Sequence, residues 1–111
     1  MTRRQRLALV HDVGKYVART ARNLPPAPTA DMVAMLAHDL YELRPGQRAS
    51  ALLAVLAGDS DAPPVATARV LLAEADALEP AVRAGDPAAV ARAAELAIAV
   101  EAALRTLLDA A

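Results

Sequence analysis

Proline and glycine divide the chain into segments rich in Ala and Leu, the residues with the highest helix propensity. None of these segments alternates between apolar and polar residues as a half-buried strand does. None contains the roughly 20 consecutive apolar residues that span a bilayer. The sequence therefore predicts an all-α protein whose helices cover residues 3–23, 30–43, 47–57, 64–84 and 87–109.

Helix signals mark several of these boundaries. LPPAP at 24–28 ends the first helix because proline cannot continue one, and Thr29 is a good N-cap for the second. In AGDP at 84–87, Gly85 suits a left-handed C-cap, Asp86 an N-cap and Pro87 the first helical position. We expect a helix hairpin at this turn.

The remaining proline and glycine residues predict turns or helix breaks. RPG at 44–46 should turn the chain, Gly58 should end the third helix, and residues 59–64 should form a loop. Pro80 should kink or split the fourth helix near Glu79. Short loops favour antiparallel neighbours, so we predict a single helical domain over 1–111. Its expected architecture is an antiparallel four-helix-type bundle with one additional short helix. The last helix should face the core with Leu96, Val100, Leu104 and Leu107.

The first predicted helix is strongly basic although the whole chain has a formal net charge of -1. Asp12 is its single acid. The near-neutral balance of the whole chain argues against general nucleic-acid binding. The excess of cations on this one helix predicts an electropositive face for a protein partner. The cations of this helix are Arg3, Arg4, Arg6, Lys15, Arg19 and Arg22.

The same helix contains the string LALVHDVGK at residues 7–15. On a helical wheel, His11 lies at the edge of the apolar arc, beside Ala18 and the cations Lys15 and Arg22. The small residues Gly14 and Ala18 leave room either for close helix packing or for a binding partner. The arc predicted to face the core comprises Leu7, Leu9, Val10, Val13, Gly14, Val17, Ala18 and Ala21.

A second His-Asp pair occurs in the second helix. Asp39 falls inside the apolar arc, whereas His38 should face water. A carboxylate that faces a core should be paired, and Arg48, Arg69 or the backbone of the 45–50 turn is available for this. The arc consists of Met32, Met35, Leu36, Leu40 and Leu43.

His11, Asp12, Gly14 and Lys15 resemble the histidine phosphoacceptor and phosphotransfer helices of two-component signalling. This resemblance implies that His11 accepts a phosphoryl group and that Asp12 acts as its base. An acidic receiver-type domain would be the partner. It would supply the phosphoryl group, since 111 residues leave no room for a nucleotide-binding domain. The partner- or phosphoryl-binding residues would be Arg4, Gly14, Lys15, Ala18, Arg19 and Arg22.

HDVGK also resembles the His-Asp motif of the HD-domain metal phosphohydrolases. In that family an upstream His, the His-Asp pair and a distal Asp bind divalent metal. The resemblance implies a metal site formed here by His11, His38 and Asp39, with imidazole and carboxylate ligands.

Three functions remain open from the sequence. The first is a helical signalling or adaptor module that docks a protein partner through its basic first helix, with histidine phosphotransfer at His11 as its sharper form. The second is a non-catalytic scaffold or homo-oligomer, and the third is a degenerate HD-type enzyme. No catalytic triad, Cys nucleophile or phosphate loop occurs, so a non-enzymatic role without a cofactor is favoured. The absence of cysteine and of a signal-peptide pattern predicts a cytoplasmic protein without membrane association.

Overall fold

The computed structural model describes residues 2–43, 48–56 and 62–111. Within these ranges the chain forms α-helices and no strand, which confirms the predicted all-α class. None of the helices described is both long enough and apolar enough to cross a lipid bilayer. The helices are α1 (Arg3–Arg22), α2 (Ala30–Tyr41), α3 (Ala49–Leu56), α4 (Pro63–Ala77), α5 (Glu79–Arg83) and α6 (Pro87–Asp109).

The predicted helix caps are present. The Thr29 hydroxyl accepts a backbone N–H from the first turn of α2. Gly85 has a φ of 77°, the left-handed conformation that glycine adopts at low cost. The Asp86 carboxylate accepts the Ala88 N–H at 3.1 Å, and Pro87 is the first residue of α6. The turn before α6 is therefore specified by local residues.

Pro80 separates α4 from α5. Leu78 lies between them, and Pro80 is the second residue of α5, where its missing N–H costs no helical hydrogen bond. The predicted fourth helix is thus split and not merely kinked. The turn expected at 44–46, the helix end at Gly58 and the loop through residue 61 lie outside the described residues.

α1 packs chiefly against α6, which also packs against α4. One buried cluster joins the end of α1 to the start of α6, through Val17 and Val90 among others. A second joins the start of α1 to the end of α6, through Leu7 and Leu107. The two helices therefore run in opposite directions, which agrees with an antiparallel bundle. The predicted core stripe of α6 is buried throughout: Leu96, Val100, Leu104 and Leu107.

Three residues predicted to face the core are exposed. Leu9 is 43 % exposed, Met32 38 % and Met35 58 %. The buried side of α2 is rotated toward Ala37 and Tyr41 because α1 and α5 cover that side. A hydrophobic arc marks a preferred face, but the neighbouring helices decide how much of it is buried.

Candidate functional site

An open groove of about 470 Å³ lies along the second half of α1, with α6 at its floor. The spacing of Lys15, Arg19 and Arg22 places all three on one helical face. Lys15 and Arg19 are exposed, and neither forms an ion pair with any residue that the structure describes. We call this surface the α1 groove; its lining residues are Asp12, Lys15, Tyr16, Arg19, Arg22, Asn23 and Glu101.

A buried carboxylate from α6 forms the floor of the α1 groove. The Glu101 side chain is only 4 % exposed. Arg22 Nη2 donates to Glu101 Oε2 at 2.9 Å, and Arg105 Nη2 lies 3.7 Å from the same oxygen. His11 Nε2 lies 3.3 Å from Glu101 Oε1, and His11 is 13 % exposed. Both carboxylate oxygens therefore have partners, as a buried charge requires.

The titration of Glu101 reflects two opposing effects. Burial alone would raise the pKa of this carboxyl, because a low-dielectric environment disfavours the charged form. The guanidiniums of Arg22 and Arg105, together with the hydrogen bond from His11, outweigh burial and hold the pKa of Glu101 below its usual value. Glu101 is therefore an anion at neutral pH, and part of the positive charge of α1 neutralises it.

Gly14 allows this close contact between α1 and α6. A Cβ at Gly14 would lie 2.9 Å from Leu104 Cδ1 and 3.6 Å from the Cα of Glu101. Both Gly14 and Ala18 are buried. Of the two alternatives predicted for these small residues, close helix packing is confirmed, because α6 fills the space that a binding partner would need.

The structure brings only some of the predicted surface residues together. Lys15, Arg19 and Arg22 share the α1 groove, with the exposed Asp12 at its edge. Arg4 is exposed but does not line the groove. The Arg19 guanidinium lies 5.2 Å from the centroid of the Tyr16 ring, a cation–π contact.

One ring nitrogen of His11 faces a carboxylate and is not free for phosphoryl transfer. A phosphoacceptor histidine must present a free ring nitrogen to the incoming group. Here Nε2 faces the Glu101 carboxylate, which would repel a phosphoryl anion. Asp12, the proposed base, is exposed and lines the groove. Phosphotransfer at His11 stays a prediction from the sequence resemblance.

The second His-Asp pair forms a separate structural contact. Asp39 is buried, as predicted, and its Oδ2 accepts a hydrogen bond from the Thr20 hydroxyl. His38 is exposed, also as predicted, with Nδ1 3.6 Å from Asp39 Oδ1. Arg48, one of the partners expected for Asp39, instead lies 2.5 Å from Glu79.

The metal site implied by the HD-domain resemblance is not assembled. Across residues 2–43, 48–56 and 62–111, no group of three or more His, Cys, Asp or Glu side chains is placed to hold a metal ion. His11 contacts Glu101, whereas His38 and Asp39 contact each other. The set of His11, His38 and Asp39 is therefore wrong as a ligand set.

Sequence reasoning missed Glu101. The signal for it is present, because Ala93, Ala97 and Glu101 follow one another at intervals of four residues along the buried face of α6. An acid on that stripe requires a cation from a neighbouring helix, and the excess of cations on α1 could supply one.

Comparison with known proteins assigns neither a family nor a function to this chain. No protein-family model, no curated protein and no solved structure matches this chain. The α1 groove is therefore the basis for a proposed function.

Proposed function

We propose that this chain is a helical docking module that binds an acidic segment of a protein partner in the α1 groove. In this role it would act as a signalling or adaptor protein of the cytoplasm. The observation that carries the proposal is the unmatched charge of Lys15 and Arg19. Both cations border the groove, and neither is paired with a carboxylate of the described chain.

Several other arginines of the molecule form ion pairs within the chain. Arg48, Arg83 and Arg92 each lie within ion-pair distance of a glutamate on the same chain. Arg22 is likewise engaged with Glu101. Arg3 and Arg4 are exposed and likewise form no ion pair with a described residue, but they do not line the groove. Lys15 and Arg19 are therefore the cations of the groove whose acidic counterparts would come from another molecule.

The dimensions of the α1 groove suit a peptide segment. Its volume of about 470 Å³ is comparable to that of ligand-binding clefts, and the groove is open to solvent along its length. Lys15 and Arg19 are one helical turn apart, about 6 Å along the axis. Carboxylates two residues apart on an extended segment are separated by about 7 Å, so one segment can reach both cations. Tyr16 also lines the groove, with its ring against the Arg19 guanidinium.

A binding assay with charge-matched variants tests this proposal. The probe is a fluorescein-labelled hexa-aspartate peptide, and its binding is measured by fluorescence anisotropy at low salt. We expect the double variant Lys15→Gln/Arg19→Gln to bind about tenfold or more weakly, because two charge-assisted contacts are lost. We also expect added salt to weaken wild-type binding, since exposed charges are screened.

Arg3→Glu is the matched control. It lowers the formal net charge of -1 by two, as the double variant does, but Arg3 does not line the groove. The new glutamate would lie in the first turn of α1, where a negative charge is favourable. Equal weakening in both variants would mean that net charge alone attracts the peptide. That result, or no wild-type binding at millimolar peptide, would refute the groove as a docking site.

A further inference from the structure

We infer that protonation of His11 strengthens binding in the α1 groove by releasing Arg22 from Glu101. The inference rests on the proposed docking function and concerns its regulation. It starts from the way Glu101 is shared. Arg22 approaches one carboxylate oxygen and His11 the other, at 2.9 Å and 3.3 Å.

The two partners of Glu101 differ in their exposure. Arg22 lines the groove and is 43 % exposed, so its long side chain can turn from Glu101 toward a bound ligand. His11 is 13 % exposed and does not line the groove. A cation at His11 would therefore neutralise Glu101 without contacting the ligand. Arg22, in contrast, can form an ion pair either with Glu101 or with an acidic ligand in the groove.

Histidine is the side chain that ordinarily changes charge between pH 5 and 8. When His11 is neutral, Glu101 depends on arginine for its counter-charge. When His11 is protonated, a full positive charge lies against Oε1, and the group formed by His11, Glu101 and Arg22 gains one net positive charge. Because Glu101 is buried, this attraction is screened less than one between exposed charges.

The charged groups around His11 come from two helices. On α1 they are Asp12, the next residue, and Lys15, one turn further on. On α6 they are Glu101 and Arg105, the latter 3.7 Å from Glu101 Oε2. Among the residues described, no ion pair joins His11 to α2 or α3. Glu101 is thus the acid that a protonated His11 would pair with, and Arg22 is the cation it would free.

The test repeats the anisotropy assay at pH 5.5 and pH 7.5. We expect wild-type protein to bind hexa-aspartate about fivefold more tightly at pH 5.5, the effect of one added charge near an exposed anion. His11→Gln should remove this pH dependence while retaining binding at pH 7.5. His38→Gln is the matched control and should retain the pH dependence, because His38 is 59 % exposed and contacts Asp39 instead.

The probe itself must not titrate. A hexapeptide of cysteic acid, whose sulfonates stay ionised throughout this range, should show the same pH dependence as hexa-aspartate. A side-chain measurement on wild-type protein covers the case in which His11→Gln fails to fold. The NMR signal of the Arg22 guanidinium should lose its hydrogen-bonded character between pH 7.5 and pH 5.5.

The outcomes separate this inference from the proposed function. If wild-type protein binds neither peptide at either pH, docking in the α1 groove fails. If it binds both peptides equally at both pH values, and Lys15→Gln/Arg19→Gln still weakens binding, docking stands and the His11 switch is wrong. Full pH dependence in a folded His11→Gln variant, or an unchanged Arg22 signal in wild-type protein, also overturns the switch.

Discussion

Two regions of the molecule concentrate arginine, and they use it differently. Around Tyr41, the guanidiniums of Arg48 and Arg83 lie 5.9 Å and 5.7 Å from the ring centroid. Both arginines also pair with Glu79, at 2.5 Å and 2.9 Å. In the α1 groove, by contrast, the exposed cations Lys15 and Arg19 form no ion pair with any acid of the described chain, although Asp12 and Glu101 line the same groove. The role of an arginine in this molecule therefore depends on whether an acid of the same chain lies within ion-pair distance.

The Tyr41 region is closed by further contacts. The Tyr41 hydroxyl donates to the backbone carbonyl of Ala75 at 2.5 Å, and Ser50 donates to the carboxylate of Asp76. Burial, together with the nearby charges of Asp76 and Glu79, raises the pKa of Tyr41 to about 12. Every polar group named here already has a partner within the chain, so this region holds α2, α3, α4 and α5 together.

The greatest loss of stability should follow from a substitution that forces apart α1 and α6, the helices that form the groove. Gly14→Val should lower the free energy of unfolding by about 3 kcal/mol, because the added methyl groups meet Leu104 in a filled interface. Urea denaturation followed by circular dichroism measures this loss. Gly14→Ala adds one methyl group and gains about 1 kcal/mol of helix propensity, so it should cost much less. A fully stable Gly14→Val protein would show that α1 and α6 are not in this close contact.

A smaller loss of stability should distinguish the two arginine regions. Arg22→Gln should cost about 1 to 2 kcal/mol of stability at pH 7.5, because Glu101 is buried and loses its closest cation. Arg83→Gln should cost clearly less than Arg22→Gln, since Arg83 pairs at the exposed edge of its network, where solvent screens the interaction. Parallel urea titrations compare them. Equal costs would mean that Arg22 is an ordinary surface residue.

The smallest effect at neutral pH concerns Tyr41. A phenol whose pKa is raised on folding is favoured in its neutral form, so the unfolded chain releases that proton first as pH rises. The stability contribution of Tyr41 should therefore be complete below about pH 10 and should decline toward pH 12. Absorbance of tyrosinate, recorded on a Tyr16→Phe background, reports the ionisation of Tyr41. Ionisation near pH 10 in folded protein would contradict the closed network.

Much of the fold could be predicted from the sequence because its signals are local. The caps at Thr29 and Asp86 and the break at Pro80 depend on a few adjacent residues. The wheel likewise placed Asp39 in a core, but its partner Thr20 lies on another helix. The apolar pattern of one helix does not indicate which residue of another helix will contact it. For the same reason the exposure of Met35 was missed.

The candidate site was predictable in part. Lys15, Arg19 and Arg22 lie on one helix, and their spacing alone brings them to one face. The floor of the groove comes from Glu101, which lies 90 residues from His11 in sequence. Finding it required knowledge that α1 packs on α6. The sequence therefore indicates the cations that line the groove from α1, but not the Glu101 carboxylate that α6 contributes.

The pairing of α1 with α6 has a consequence for the order of events during synthesis. A contact across 90 residues cannot form until the second partner has left the ribosome. At translation rates of roughly 5 to 20 residues per second, that delay is about 5 to 18 seconds. During this interval α1 has been made without its main packing partner, so its apolar stripe is accessible to chaperones. Completion of α6 then covers that stripe and supplies the Glu101 carboxylate to the cations of α1.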